Sequence, residues 1–102
     1  MRIQRSRSLG TVYAAVHMWA EINLGCPVWS VSVSRSGILC GCDDGSVVLL
    51  NTNLVKILSL EAHGKSPVIQ VSWAGDSLHF LSVGTDSIIR VWSIDQGYII
   101  HV

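Results

Sequence analysis

At 102 residues the chain is long enough for one small domain at most. Its seven basic and seven acidic residues cancel, so there is no bulk field to draw in nucleic acid or an anionic membrane. Apolar residues make up 49% and charged ones 14%, against about 25% charged in an average globular chain, so either the core is unusually complete or neighbouring structure covers part of this surface.

Val and Ile together number 23 against a single Phe, a bias toward strands, because branched side chains pack well on a pleated surface. No run reaches the roughly 18 apolar residues of a spanning helix. At the N-terminus Arg2, Arg5 and Arg7 precede an apolar stretch from Leu9 to Ala20, with no acid before Glu21. The pattern fits a targeting peptide or a short solvated basic tail over residues 1–8; the absence of a clean cleavage signal in Val12–Trp19 favours the tail. From Val28 to Ser34, Ser and Val alternate with period two, the mark of a strand. Arg35 to Gly37 turns, Ile38–Cys42 forms a second strand, and Asp43 to Ser46 makes a tight turn of the Asp-Gly kind. Val47–Asn51 is a third strand and Leu54–Leu60 a fourth. The order repeats as Val68–Trp73, Leu78–Val83 and Ile88–Ile94, and Tyr98–Val102 begins a further strand. Turns recur every 8–12 residues and no helix is expected.

The chain repeats itself. PVWSVSVSRSG, at Pro27–Gly37, matches PVIQVSWAGDS, at Pro67–Ser77, at an offset of 40. DGSVVLLN, at Asp44–Asn51, matches DSIIRVWS, at Asp86–Ser93, at an offset of 42. A period of about 40–45 residues with four strands each is that of a WD-repeat propeller blade. Leu60–Asp95 resembles one almost complete WD repeat, with Ala62-His63 in the Gly-His place and Trp92-Ser93 in the Trp-Asp place. The first unit is further from the pattern: Leu50-Asn51 stands where Trp-Asp would be, and Gly25-Cys26 lies near the Gly-His position. The resemblance covers Gly25 to Val102 and implies an all-β propeller fragment: two four-stranded antiparallel blades, at about 25–60 and 61–102 within a partial propeller over 9–102, plus partial flanking strands.

Ser82, His63 and Asp86 are the residue types of a nucleophilic triad, but nothing supplies a nucleophile elbow or an oxyanion hole. The resemblance implies instead a structural network of His63, Ser82, Asp86 and Trp92, in which the carboxylate orients the imidazole, the imidazole reaches the hydroxyl and the hydroxyl meets the indole N–H. In the first unit Asp44 is in place, Cys40 replaces the hydroxyl and Leu50 the indole, so apolar packing alone is expected there. The resemblance also implies that the residue before the turn Asp, here Asp43 and Thr85, faces partners; Trp29 is a third partner-facing candidate, its alternative being packing between blades like Trp73. His17, His79 and His101 read as half-exposed strand residues.

Cys26, Cys40 and Cys42 make no even disulfide framework, which suits a reducing, intracellular compartment, cytoplasmic or nuclear. Cys40 and Cys42 share a strand face, but zinc needs two more ligands and no second Cys pair exists, so no metal and no cofactor are expected. The reading is a non-catalytic scaffold for protein–protein contacts, its partners being other proteins, including the missing blades, with no nucleic acid and no membrane. The alternatives are the propeller portion of a multidomain enzyme and a peptide-recognition module.

Overall fold

The structure is a computed structural model that describes residues 2–4, 15–18, 20–95 and 98–101. Every regular element among them is a strand. Within the segment expected to be a basic tail, Arg2–Gln4 forms β1, which pairs antiparallel with β2, Ala15–His17. The remaining strands form two four-stranded antiparallel sheets. The first blade runs β3 (Val28–Ser34), β4 (Gly37–Cys42), β5 (Ser46–Leu50) and β6 (Lys56–Glu61), each paired with the next. The second runs β7 (Val68–Trp73), β8 (His79–Gly84), β9 (Ile89–Asp95) and β10 (Tyr98–His101) in the same way. The strand begun at Tyr98 therefore completes the second sheet.

Boundaries move where side chains hold turns. The fourth strand starts at Lys56 rather than Leu54, because Asn51 Oδ1 accepts from the N–H of Asn53 and of Val55 and holds the chain in a turn. Leu54 sits inside that turn at a φ of 61°.

The two blades pack face to face. Leu39, Val47 and Leu49 of the first meet Val68, Val71, Phe80 and Trp92 of the second, with Ala62 from the connecting loop. Phe80 stacks on Trp92 at 6.4 Å and meets the edge of Trp73 at 5.7 Å. A second cluster, Cys40, Cys42, Val48 and Leu50, lies on the other face of the first blade. The serines of β3 explain themselves here. Strand β7 is the edge of its sheet, and Ser30 and Ser32 Oγ accept the N–H groups of Val71 and Trp73, each at 3.1 Å. Hydroxyls of one blade thus satisfy the edge amides of the next, and Ser36 Oγ, in the opposite role, donates to the carbonyl of Ser77 in the β7–β8 turn at 2.6 Å.

Candidate functional site

The second blade carries a buried polar corner. His63 comes from the loop between blades, Ser82 from β8, Trp92 from β9 and Asp86 from the β8–β9 turn. His63 Nδ1 lies 3.0 Å from Asp86 Oδ1, and His63 Nε2 lies 2.8 Å from Ser82 Oγ. Trp92 Nε1 donates to the same hydroxyl at 3.0 Å. One proton arrangement satisfies all of them: Nδ1–H donates to the carboxylate, and Ser82 accepts from the indole and donates to Nε2. Arg90 Nη1 donates to Asp86 Oδ2 at 3.3 Å, closing the corner from outside. Partial burial works against the Asp86 carboxylate, but hydrogen bonds from His63, the Ile88 amide and Arg90 outweigh it and hold the group below the usual carboxylate range. Removing the hydroxyl by Ser82→Ala leaves two buried partners unsatisfied, a loss of about 1–3 kcal/mol.

The loop that presents His63 is anchored by the first blade. Gly45 O accepts the amides of both Ala62 and His63, each at 3.1 Å. Gly45 itself has a φ of 90°, and a Cβ there would strike the Gly64 carbonyl oxygen. Gly84 is a member of the corner that the sequence reading missed. A Cβ at Gly84 would lie 2.5 Å from His63 Nδ1 and 2.7 Å from Asp86 Oδ1, so the imidazole occupies the room that a side chain would need. The signal was in the repeat: Gly84 pairs with Val68 as Cys42 pairs with Val28.

That pairing shows how the first blade differs. Counting back from the shared Pro, the His63 position falls on Asn23, which is exposed and accepts the Gly25 amide at 2.8 Å. In the corner itself stands Cys42, fully buried, with half-buried Cys26 and exposed Asp44. The Sγ atoms of both cysteines and a carboxylate oxygen of Asp44 lie within 4.8 Å of one another. Cys42 and Cys26 belong to the apolar cluster of the first blade with Cys40, Val48 and Leu50, and the Cys42 side chain stands at the position that Gly84 keeps open for the His63 ring in the second. Ser46 donates to Asp44 Oδ1 from its amide at 3.0 Å and from its hydroxyl, and these bonds hold the Asp44 carboxyl below its ordinary range. Burial above all, and the adjacent Cys26 and Asp44, push the Cys42 thiol up to about 12 against a hydrogen bond with Ser46.

Trp29, Asp43 and Thr85 are not members of these corners, although Asp43 and Thr85 adjoin them in the chain. The register of β3 with β4 shifts between Val28 and Ser30, and that of β7 with β8 between Val68 and Gln70, so Trp29 and Ile69 are each the extra residue of a β-bulge. Both point outward, Trp29 at 58% exposure, and its Nε1 donates to Asp43 Oδ1 at 2.9 Å. The amides of Asp43 and Thr85 bond to the carbonyls of Pro27 and Pro67 at 2.9 and 3.0 Å, so the two residues occupy one position on successive blades. Ile69 belongs with them, and only the bulge, which reverses the alternation of the strand, reveals it.

Consecutive four-stranded blades, with a His–Ser–Asp–Trp corner between loop and sheet, define a class of protein: the chain belongs to the WD-repeat propeller family. The model of the WD domain, G-beta repeat, matches residues 54–93. That stretch takes β6 from the first sheet and β7 to β9 from the second, so the sequence repeat straddles two blades. Among curated relatives, the chain is 34% identical over 82 residues to the human U3 small nucleolar RNA-associated protein 4 homolog, covering 76% of this chain and 12% of that protein. It is 33% identical over 64 residues to the Drosophila melanogaster retinoblastoma-binding protein 5 homolog, covering 60% of this chain and 12% of that protein. It is 31% identical over 80 residues to the Arabidopsis thaliana WD repeat-containing protein WDS homolog, covering 72% and 15%. The chain thus spans between 12% and 15% of the length of these relatives.

Proposed function

We propose that the two blades are part of a β-propeller that serves as a non-catalytic platform for protein partners, and that Trp29, Asp43, Ile69 and Thr85 belong to the surface that receives them. The carrying observation is the pair of bulges, which turn a large apolar side chain outward at the same place on both blades, beside the residue preceding the turn Asp. Trp29 is held by its bond to Asp43, so little side-chain entropy is lost on docking. Two of the relatives are named for what they bind or associate with, which accords with membership of an assembly.

The outer faces support continuation of the ring. Val31 and Val33 on the first blade, and Ile89 and Val91 on the second, present branched side chains to solvent where adjacent blades would pack. Closed propellers take about four to eight blades. The burial of Ser82, at 0% exposure, and of His63, at 3%, supports a structural role for the pair over hydrolysis, which needs a hydroxyl within reach of a substrate carbonyl. The unpaired thiols fit a reducing, intracellular compartment, and the nucleolar name of one relative fits a nuclear one.

The test is quantitative affinity purification of the protein carrying Trp29→Ser with Asp43→Arg, beside wild type and a control at exposed Val55, Val55→Ser. Both variants change exposed residues, and thermal melting verifies the fold. Loss of a reproducible partner set in the Trp29 and Asp43 variant only is the expected result. An unchanged partner set rules this face out.

A further inference from the structure

We propose that the corner of the first blade is a binding site for a thiophilic divalent cation of the zinc class, ligated by Cys26, Cys42 and Asp44. Three donor atoms from three different places in the chain converge within 4.8 Å: one from the segment entering β3, one from the end of β4 and one from the β4–β5 turn. Two sulfurs and one carboxylate oxygen make a soft to borderline donor set, suited to zinc and poor for magnesium or calcium, which take oxygen alone.

The rest of the fold holds these donors in place. Cys42 is fully buried, so its sulfur is fixed in the space that the His63 ring fills in the second blade. The Asp43 amide bonds to the Pro27 carbonyl at 2.9 Å and ties the segment of Cys26 to the end of β4. Ser46 gives two hydrogen bonds to Asp44 Oδ1, which orients the carboxylate, as outer partners of metal ligands do. Cys40, two residues away on the same strand, is outside the group. The protein supplies three ligands and water the fourth, on the side where Asp44 is exposed. Binding converts two thiols to metal-bound thiolates and releases two protons, so affinity rises with pH. No electron changes hands. A disulfide between Cys26 and Cys42 would use the same sulfurs but would leave Asp44 without a role and would need an oxidant.

The test is a titration of the full protein, kept reduced by a phosphine, with Co2+ as a spectroscopic probe and then with Zn2+ in competition. The expected result is one equivalent of Co2+ in a tetrahedral site with a thiolate-to-cobalt charge-transfer band, displaced by Zn2+. Cys26→Ser and Asp44→Asn should each weaken binding by at least about tenfold, while Cys40→Ser should leave it unchanged. Cys42→Ala risks the fold because Cys42 is buried, so half-buried Cys26 and exposed Asp44 carry the decision. Zn2+ should also raise the melting temperature of wild type and of Cys40→Ser, and not of Cys26→Ser. Absence of a thiolate band, equal loss in Cys40→Ser, or a Cys26–Cys42 disulfide as the form isolated under reducing conditions would overturn the proposal.

Discussion

At the scale of single residues, two blades of one repeat solve the same corner with different chemistry, and the exchange hinges on a methyl group's worth of space. Gly84 leaves room for the His63 ring, whereas Cys42 fills the equivalent room in the first blade. Gly84→Ala should therefore cost about 1–3 kcal/mol, as overpacking does. In a His63→Ala background the same change should cost clearly less, because the ring is gone and only the Asp86 carboxylate oxygen is left close to the new methyl. A double-mutant cycle measured by denaturant unfolding checks this, and additive losses would show that the methyl never met the ring. A second residue-scale effect is electrostatic. The amide of Leu78 and then the His79 side chain, 2.7 Å away, draw the Asp76 carboxyl from 3.8 down to about 2. A carboxyl lowered by folding stabilises the native state above its unfolded value and loses that effect as pH falls through its folded value. Stability should thus decline with acid between pH 3.8 and about 2, and Asp76→Asn should flatten that part of the curve. Urea unfolding at several pH values reads the slope directly, and an unaltered slope would remove Asp76 as its source.

Among the elements, the turn that follows the second strand of each blade is where the repeats diverge. Gly45 in the first and Ser87 in the second occupy the left-handed region, at φ values of 90° and 67°, and each amide bonds back to the residue three before it. Serine is strained there by about 1–2 kcal/mol, glycine is not, and glycine costs more entropy on folding. Ser87→Gly should accordingly raise stability slightly, by less than about 1 kcal/mol. Gly45→Ser should lower it by about 1–3 kcal/mol. It adds backbone strain and pushes a Cβ into the Gly64 carbonyl, loosening the loop that carries His63. Opposite signs for the two changes in thermal melts are the expected outcome. Equal signs would mean that the turns are not equivalent.

For the whole molecule, the deciding feature is that apolar side chains remain exposed on both outer faces while the face between the blades is covered. The interface between blades buries Leu39, Val47, Phe80 and Trp92, whereas Val33 and Ile89, on the two outer faces, are 68% and 67% exposed. Exposed apolar faces beside free strand edges favour association. The 102-residue chain by itself should therefore associate in a concentration-dependent way, and Val33→Lys with Ile89→Lys should suppress this without disturbing the buried corner. Light scattering over a concentration series makes the comparison. A wild-type chain that stays monomeric throughout would show that these faces are not adhesive.

The sequence by itself determined the eight strands of the two blades, the repeat and the class, because period-two alternation and turn chemistry are local and the two units carry them at nearly equal offsets; it did not reveal β1 and β2, which lie outside the repeat. It also held the four residues of the second corner, through the resemblance of Leu60–Asp95 to a WD repeat. What only the tertiary structure decided depends on distances between segments far apart in the chain. Alternation along β3 does not reveal that Trp29 is a bulge residue, since a bulge is a property of two paired strands. Ser30 and Ser32 read as the polar face of a strand, yet they cap the edge amides of the next blade. Cys40 and Cys42 read as neighbours on one face, whereas folding gives Cys42 two other companions, Cys26 and Asp44. Chain spacing says which residues share a strand face; which ones share a corner is settled by the packing of loops against sheets, where a Gly in one blade and a Cys in the other leave different room.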